Sequence, residues 1–125
     1  MGKRVLLAED EPNIVASLTF LLERAGFAVA AEPNGAAACK AALDDPPDVI
    51  ILDVMLPELD GMEILRRIRT DGNCRDVPVI MLTAKGQRED RAAAMGSGAD
   101  VFITKPFANA TVLDAVRRLS DAPRN

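Results

Sequence analysis

The sequence predicts an α/β fold in which five βα units form an open, doubly wound parallel sheet with helices on both faces. Apolar runs at residues 5–8, 49–52 and 79–82 are continuous rather than alternating, which is typical of strands covered on both faces. Segments with helical periodicity separate these runs, and the connections are only a few residues long. Right-handed crossovers between the strands then place helices on both sides of the sheet.

The first unit joins the strand at residues 5–8 to a helix. Pro12 follows an acidic run and suits the first turn of that helix, where the missing N–H of proline costs nothing. Gly26 is a typical residue just after a helix end. Between them, apolar residues recur at the spacing of one helix face, at Ile14, Leu18, Leu21, Leu22 and Ala25.

The second unit has a weaker strand at residues 27–31 and an alanine-rich helix at residues 36–43. In the third unit, the strand at residues 49–52 is followed by a helix over residues 61–70. One side of this helix is apolar, with Ile64, Leu65 and Ile68, and the other is expected to be solvated, with Arg66, Arg67 and Arg69.

The last two units complete the sheet. Residues 79–82 form the fourth strand, and Gly96 and Gly98 are expected to break the fourth helix before the fifth strand at residues 101–104. The fifth helix carries apolar residues at Val112, Val116 and Leu119.

Length and composition exclude several classes of function. A chain of 125 residues fits a single domain, 1–125, that buries roughly two thirds of its unfolded surface. The 15 basic and 19 acidic residues give a net charge of −4, so direct binding to nucleic acid is not expected. The chain has no histidine, which removes histidine-based acid–base catalysis and histidine metal ligands.

Other features favour a cytoplasmic protein without membrane insertion. No apolar stretch approaches the ~20 residues that a membrane span needs. Cys39 and Cys74 are far apart and have no neighbouring cysteine or histidine, so neither a zinc site nor a redox pair is indicated. We expect both thiols to be reduced and buried.

Polar side chains follow four of the five predicted strands. Glu9 and Asp10 come directly after the first strand, and Asp53 comes after the third. Thr83 follows the fourth strand, and Lys105 follows the fifth. The carboxyl ends of parallel strands share one edge of the sheet, where ligands of such folds bind. These side chains are therefore expected to meet at one site.

Carboxylates gathered at one site require a compensating positive charge. Two of them ~4 Å apart repel each other by several kcal/mol at an effective dielectric constant near 20. Oxygen ligands without histidine or cysteine favour Mg²⁺ or Mn²⁺ over zinc. A carboxylate nucleophile, a metal, a lysine and a hydroxyl together suit transfer of a phosphoryl group. Taken singly, each residue could serve only as a cap, turn, strand or surface residue, but their coincidence at four strand ends favours the functional interpretation.

The wider pattern at these strand ends consists of Glu9-Asp10, Asp53, Met55-Leu56-Pro57, Asp60-Gly61, Thr83-Ala84 and Lys105-Pro106-Phe107. In residue types and in order it resembles the receiver domain of two-component response regulators, over essentially the whole chain. The resemblance implies a flavodoxin-like (βα)5 fold with sheet order 2-1-3-4-5. It also implies a function in signal transduction, as a domain that accepts a phosphoryl group.

The resemblance implies a role for each residue of the site. Asp53 would be the phosphoacceptor, and Asp10 and Asp53 would bind Mg²⁺ directly. Glu9 would act on the metal mainly through water, and the backbone carbonyl of Met55 would complete the protein ligands. Lys105 would pair with a phosphoryl oxygen.

The same resemblance implies a conformational switch. After phosphorylation, Thr83 and Lys105 would be drawn toward Asp53, and Phe102 would turn inward into the space that Thr83 leaves. This movement would remodel the output face formed by the fourth helix, the fifth strand and the fifth helix.

Three residues are expected to act structurally. Pro57 would shape the loop after the phosphoacceptor, and Gly61 would start the third helix where a side chain would crowd its neighbours. The resemblance also implies a cis bond before Pro106.

The resemblance implies two kinds of partner. A sensor histidine kinase or a histidine phosphotransferase would donate the phosphoryl group, and a downstream effector or a fused output domain would respond to the signal. The chain would be a phosphoacceptor that promotes its own phosphorylation and dephosphorylation, not an enzyme acting on another substrate. Met55 and Lys85 would tune the lifetime of the phosphoryl group.

Two alternatives compete with this interpretation. A phosphohydrolase resembling the haloacid dehalogenases also uses an aspartyl phosphate, but it needs a second aspartate two residues after the nucleophile, where this chain has Met55. The other alternative is an interaction module on the same fold that works without phosphorylation. Retention of every residue of the phosphorylation site argues against it.

Overall fold

The computed structural model describes residues 2–84, 96 and 98–121. Within this part of the chain, five parallel strands form a sheet in the order β2-β1-β3-β4-β5, which confirms the predicted order. The strands are β1 (Arg4–Ala8), β2 (Ala28–Glu32), β3 (Val49–Asp53), β4 (Val79–Ala84) and β5 (Val101–Lys105). Each begins within one residue of its prediction. The third, fourth and fifth strands continue into the polar residues that follow the apolar runs.

Four helices are present in the described residues: α1 (Pro12–Arg24), α2 (Gly35–Asp44), α3 (Gly61–Thr70) and α4 (Asn109–Asp121). The last of these, α4, is the fifth helix of the prediction. The fourth predicted helix and Lys85 lie outside the described residues. None of the described helices is long and apolar enough to cross a membrane.

The sheet is covered on both faces, as predicted. On one face, α2 and α3 pack against strand residues such as Leu6, and Ile64 of α3 is fully buried there. On the other face, α1 and α4 contribute Leu18 and Val116, which pack against Leu7 and its neighbours. The two cores are built almost entirely from aliphatic side chains, because only 3% of the residues are aromatic.

The helix ends explain where each connection turns. Gly26 has a φ of +98°, and its N–H donates to the carbonyl of Glu23 at 3.0 Å, which ends α1 at the predicted glycine. Asn34 caps α2 by accepting the N–H of Ala37 at 3.1 Å. Asp60 caps α3 in the same way. The α3 cap lies at the end of the loop that begins at Asp53, so it helps to fix that loop.

Both cysteines are buried and unpaired, as predicted. Burial raises the pKa of the Cys74 thiol to about 11, and it also raises the pKa of Cys39. Thiols with a raised pKa carry little reactive thiolate at neutral pH. The two residues therefore act as small core side chains.

Arg69 departs from the prediction of a solvated helix face. Its side chain is only 19% exposed and forms an ion pair with Asp100 at 3.0 Å. It also donates to the backbone carbonyls of Val77 and Gly98, each at 2.7 Å. Arg69 thus joins the end of α3 to the segments that enter β4 and β5. The periodicity of α3 cannot report this, because the partners come from segments that fold over the helix from elsewhere in the chain.

Thr19 of α1 carries a buried hydroxyl without a hydrogen-bond partner among the described residues. We expect Thr19→Val to stabilise the protein by about 1 kcal/mol, because valine keeps the shape and removes the cost of the unpaired oxygen. Urea denaturation would measure the free energy of unfolding. The control is Thr111→Val at an exposed position of α4, where the change should stay within about 0.5 kcal/mol. A loss of stability in Thr19→Val would contradict the prediction.

Candidate functional site

The register of the sheet brings the predicted site residues to one edge. Ala8 of β1 pairs with Leu52 of β3, so Glu9 and Asp53 follow as neighbours at the next step. The remaining pairs at this edge are Asp53 with Leu82, Thr83 with Thr104 and Ala84 with Lys105. The residues at the ends of β1, β3, β4 and β5 therefore gather as the sequence predicts.

Three carboxylates form the centre of the site. One oxygen from each of Glu9, Asp10 and Asp53 lies within 4.8 Å of the other two. Glu9 is fully buried and Asp53 is 5% exposed, whereas Asp10 is exposed to solvent. Hard oxygen atoms at this spacing, without nitrogen or sulfur ligands, fit a small divalent cation such as Mg²⁺.

Lys105 supplies the positive charge of the site. Its Nζ atom lies 3.0 Å from Oδ2 of Asp53 and 2.9 Å from Oε1 of Glu9. Burial alone would lower the pKa of Lys105, but the contacts with Glu9 and Asp53 outweigh burial and raise it above 10.5. The lysine is therefore charged at neutral pH. The peptide bond between Lys105 and Pro106 is cis, as the resemblance to receiver domains implied.

Glu9 is incompletely satisfied in this arrangement. Its Oε2 atom accepts the N–H of Glu11 at 3.0 Å, but Oε1 is buried and receives no well-directed hydrogen bond among the described residues. Burial raises the pKa of Glu9 to about 7, although Lys105 and the Glu11 N–H act in the opposite direction. A buried carboxylate oxygen with spare acceptor capacity beside two other carboxylates is a feature that a bound cation or its water would satisfy.

The loop after β3, residues 54–60, orients Asp53. The N–H of Met55 donates to Oδ1 of Asp53 at 2.9 Å, so both carboxylate oxygens of the aspartate are held. Val54 is fixed on both sides, because its N–H donates to Leu82 and its carbonyl accepts from Gly61, each at 2.9 Å. The side chain of Met55 is 64% exposed at the rim of the site.

Gly61 begins α3 against the backbone of the acceptor. A Cβ atom at Gly61 would lie 2.4 Å from the carbonyl oxygen of Asp53 and 3.0 Å from Cα of Val54. The predicted crowding at this position is thereby confirmed, and the crowded neighbour is Asp53 itself.

Thr83 and Phe102 share one face of the sheet. Thr83 is 2% exposed, and Phe102, which pairs with Met81 of β4, is half-buried against the core on the α2 and α3 side. Residues that pair across a sheet, and residues two apart on a strand, point to the same face. The aromatic ring therefore belongs to the layer that contains the threonine.

Pro57 is expected to shape the loop after β3, and two residues that the sequence does not single out act with it. The carbonyl of Pro57 accepts the N–H of Leu59 at 2.8 Å and the N–H of Gly35 at 3.0 Å. Glu58, which lies between Pro57 and Leu59, has a φ of +69°. The sequence holds one weak signal of this contact, a glycine at the start of an alanine-rich helix, where alanine would be the better helix former.

A cavity of about 400 Å³ opens beside Lys105. Its walls come from α1 and from the residues that follow β5, and they include Ile14 and Phe107. The cavity therefore adjoins the lysine side of the site.

The model of the response regulator receiver domain family matches residues 5–117. The alkaline phosphatase synthesis transcriptional regulatory protein PhoP of Bacillus subtilis (strain 168) is 41% identical over 122 residues, which cover 94% of this chain and 50% of PhoP. The phosphate regulon transcriptional regulatory protein PhoB of Escherichia coli (strain K12) is 40% identical over 126 residues, which cover 96% of this chain and 54% of PhoB. The chain thus spans about half the length of these curated relatives.

Solved structures agree with the fold. The receiver domain of sensor histidine kinase PA1611 from Pseudomonas aeruginosa PAO1, solved with a magnesium ion in its active site cleft, matches with a TM-score of 0.88 at 32% identity. The match covers 98% of this chain and 100% of the PA1611 receiver domain. The chemotaxis response regulator CheY4 of Vibrio cholerae matches with a TM-score of 0.87 at 28% identity, over 95% of this chain and 99% of CheY4.

Proposed function

The chain belongs to the response regulator receiver domain family, and from that premise we propose that residues 1–125 form one receiver domain that accepts a phosphoryl group on Asp53. The environment of the Asp53 carboxylate is the observation that most supports this role for Asp53. One of its oxygens lies 3.0 Å from Nζ of Lys105, the other accepts the N–H of Met55, and two further carboxylates adjoin it. This arrangement presents an oriented carboxylate oxygen to an incoming phosphorus atom.

The cluster of carboxylates would hold Mg²⁺, and Mn²⁺ prefers the same oxygen ligands. Asp10 and Asp53 would bind the ion directly, Glu9 would bind it through water, and the backbone carbonyl of Met55 would complete the protein ligands. The ion, when bound, would neutralise negative charge on the phosphoryl oxygens.

The chemistry of the transfer assigns a task to each side chain. An oxygen of Asp53 forms a bond to phosphorus while the bond from phosphorus to a histidine nitrogen of the donor breaks. The histidine nitrogen keeps the electron pair of that bond. Lys105 moves from its ion pair with Asp53 to a phosphoryl oxygen, and the Met55 N–H keeps the acceptor in place.

Phosphorylation of Asp53 would act on the fold through Thr83 and Lys105. Added negative charge and strong acceptor oxygens at Asp53 would draw the Thr83 hydroxyl and the Lys105 ammonium toward it. Phe102, on the same sheet face as Thr83, would then turn further inward. The output face would include β5 and α4, together with the fourth predicted helix, which lies outside the described residues.

The partners follow from this chemistry. A sensor histidine kinase or a histidine phosphotransferase would donate the phosphoryl group and would approach through the cavity beside Lys105. A downstream effector or a fused output domain would receive the signal. The transcriptional regulators PhoP and PhoB, about twice the length of this chain, favour the fused arrangement. The chain itself would be a phosphoacceptor and not an enzyme for a separate substrate.

The proposal is tested by incubating the chain with acetyl phosphate or phosphoramidate and recording its intact mass at once. We expect the mass of one phosphoryl group to be added when Mg²⁺ is present and not when a chelator removes it. A folded chain that gains no mass from either donor would overturn the proposal and favour an interaction module that works without phosphorylation. Steady release of inorganic phosphate without an adduct would favour a phosphohydrolase instead.

The exposed side chain of Met55 has a predictable effect on how long the phosphoryl group persists. We expect Met55→Asn to shorten the lifetime of phosphorylated Asp53 by roughly three- to tenfold, because an amide can orient the attacking water and a thioether cannot. The decay of the phosphorylated mass after removal of the donor measures this lifetime. Met55→Leu is the matched control and should decay like the wild type. Equal or faster decay in the wild type than in Met55→Asn would refute the prediction.

A further inference from the structure

The loop that follows Asp53 contains a strained turn. The N–H of Leu59 donates to the carbonyl of Pro57 at 2.8 Å and closes a three-residue turn around Glu58. Glu58 has a φ of +69°, in the left-handed region that is unfavourable for most residues other than glycine. Turns of this kind with a positive φ at the centre are rare and strained.

A contact with α2 holds this turn. The carbonyl of Pro57 that closes the turn also accepts the N–H of Gly35, at 3.0 Å. The approach of the two backbones is so close that a Cβ atom at Gly35 would lie 1.7 Å from the carbonyl oxygen of Leu59. Only a residue without a side chain allows α2 and the turn to meet in this way.

The turn adjoins the atoms that fix the acceptor. Two residues before Pro57, the N–H of Met55 donates to Oδ1 of Asp53 at 2.9 Å. Strained backbone persists only where its surroundings enforce it, so loss of the contact with α2 would let the turn relax. Because the loop between Asp53 and Gly61 is short, relaxation at Glu58 would move Met55 relative to the carboxylate.

We propose that Gly35 is a positioning residue of the acceptor site. Its N–H and its lack of a side chain hold the turn at Glu58, and the turn in turn fixes the backbone of Met55 beside Asp53. This proposal rests on the proposed function, in which the backbone carbonyl of Met55 binds Mg²⁺. Under this proposal α2 controls the geometry of the carboxylate cluster, although it contributes no side chain to that cluster.

Two variants test the contact from its two sides. Gly35→Ala obstructs it from the helix, and Glu58→Pro abolishes the turn from the loop, because proline requires a φ near −65°. We expect each to weaken the binding of Mg²⁺ about tenfold or more, measured as a Kd by calorimetry at a temperature where the variant is folded. Two controls should bind like the wild type: Gly72→Ala, because a Cβ there meets nothing within 4 Å, and Glu58→Gly, because glycine adopts a positive φ without strain.

Hydrogen exchange of the Met55 amide in the metal-free protein gives a readout that does not depend on the metal. We expect the exchange of this amide to be about tenfold faster in Glu58→Pro than in the wild type, because its bond to Asp53 weakens. Should Gly35→Ala fail to fold, Glu58→Pro decides the question, since it leaves α2 unchanged. Unchanged Mg²⁺ affinity and unchanged Met55 exchange in folded Glu58→Pro would overturn the proposal. A wild-type chain that does not bind Mg²⁺ would instead overturn the proposed function, and the exchange measurement would still test whether the turn at Glu58 fixes the Met55 amide.

Discussion

Asp53→Asn is expected to abolish the phosphoryl adduct that acetyl phosphate forms with the wild-type chain in the presence of Mg²⁺. A carboxamide oxygen is neutral and a poor nucleophile toward phosphorus, so no step of the transfer can begin. The substitution also removes the charged partner of Lys105 and one of the three carboxylates of the cluster. Intact-mass measurement of both proteins under the same conditions gives the result.

The control for this loss is Asp76→Asn, an equivalent change at an exposed position in the connection between α3 and β4. It should gain the adduct at the wild-type rate, because it lies outside the carboxylate cluster. An adduct that persists in Asp53→Asn would locate the acceptor at another carboxylate. Peptide mapping would then distinguish Asp10 from Glu9, and the assignment of roles within the cluster would have to be reversed.

The fold was predictable because its strands are continuous apolar runs. Residues 49–52 are buried on both faces of the sheet, and a run without alternation is the direct trace of that burial. The helix ends were predictable where a single residue sets the backbone, as at Gly26 with its φ of +98°. The prediction ended β3, β4 and β5 too early, because it placed the polar residues of the site after these strands. In the structure the strand pairing continues into those residues.

The side chains of the site were also predictable, because parallel strands bring their carboxyl ends to one edge. Glu9, Asp53 and Lys105 needed no more than this rule to be grouped. Gly35 and Glu58 escaped the prediction for a different reason. Their importance comes from the close approach of two backbone segments that are far apart in sequence, and no periodicity or local motif carries that information.

Gly61→Ala is expected to destabilise the protein by about 2–3 kcal/mol and to slow its phosphorylation. The added Cβ would lie 2.4 Å from the carbonyl oxygen of Asp53, and a backbone atom cannot move aside as a flexible side chain can. Either α3 moves away, which opens the core around Ile64, or the end of β3 moves. Movement of the end of β3 displaces the acceptor carboxylate from Lys105.

Two measurements separate these effects. Urea denaturation gives the loss in the free energy of unfolding, and the rate of adduct formation at a temperature where the variant is folded gives the effect on Asp53. A displacement of about 1 Å at a reacting group can cost up to roughly a hundredfold in rate, so the slower rate should persist after stability is accounted for. Gly72→Ala, where the added Cβ meets nothing within 4 Å, should change neither quantity. If Gly61→Ala lost stability but was phosphorylated at the wild-type rate, α3 would have yielded and β3 would not, and Gly61 would serve the packing of the helix rather than the position of Asp53.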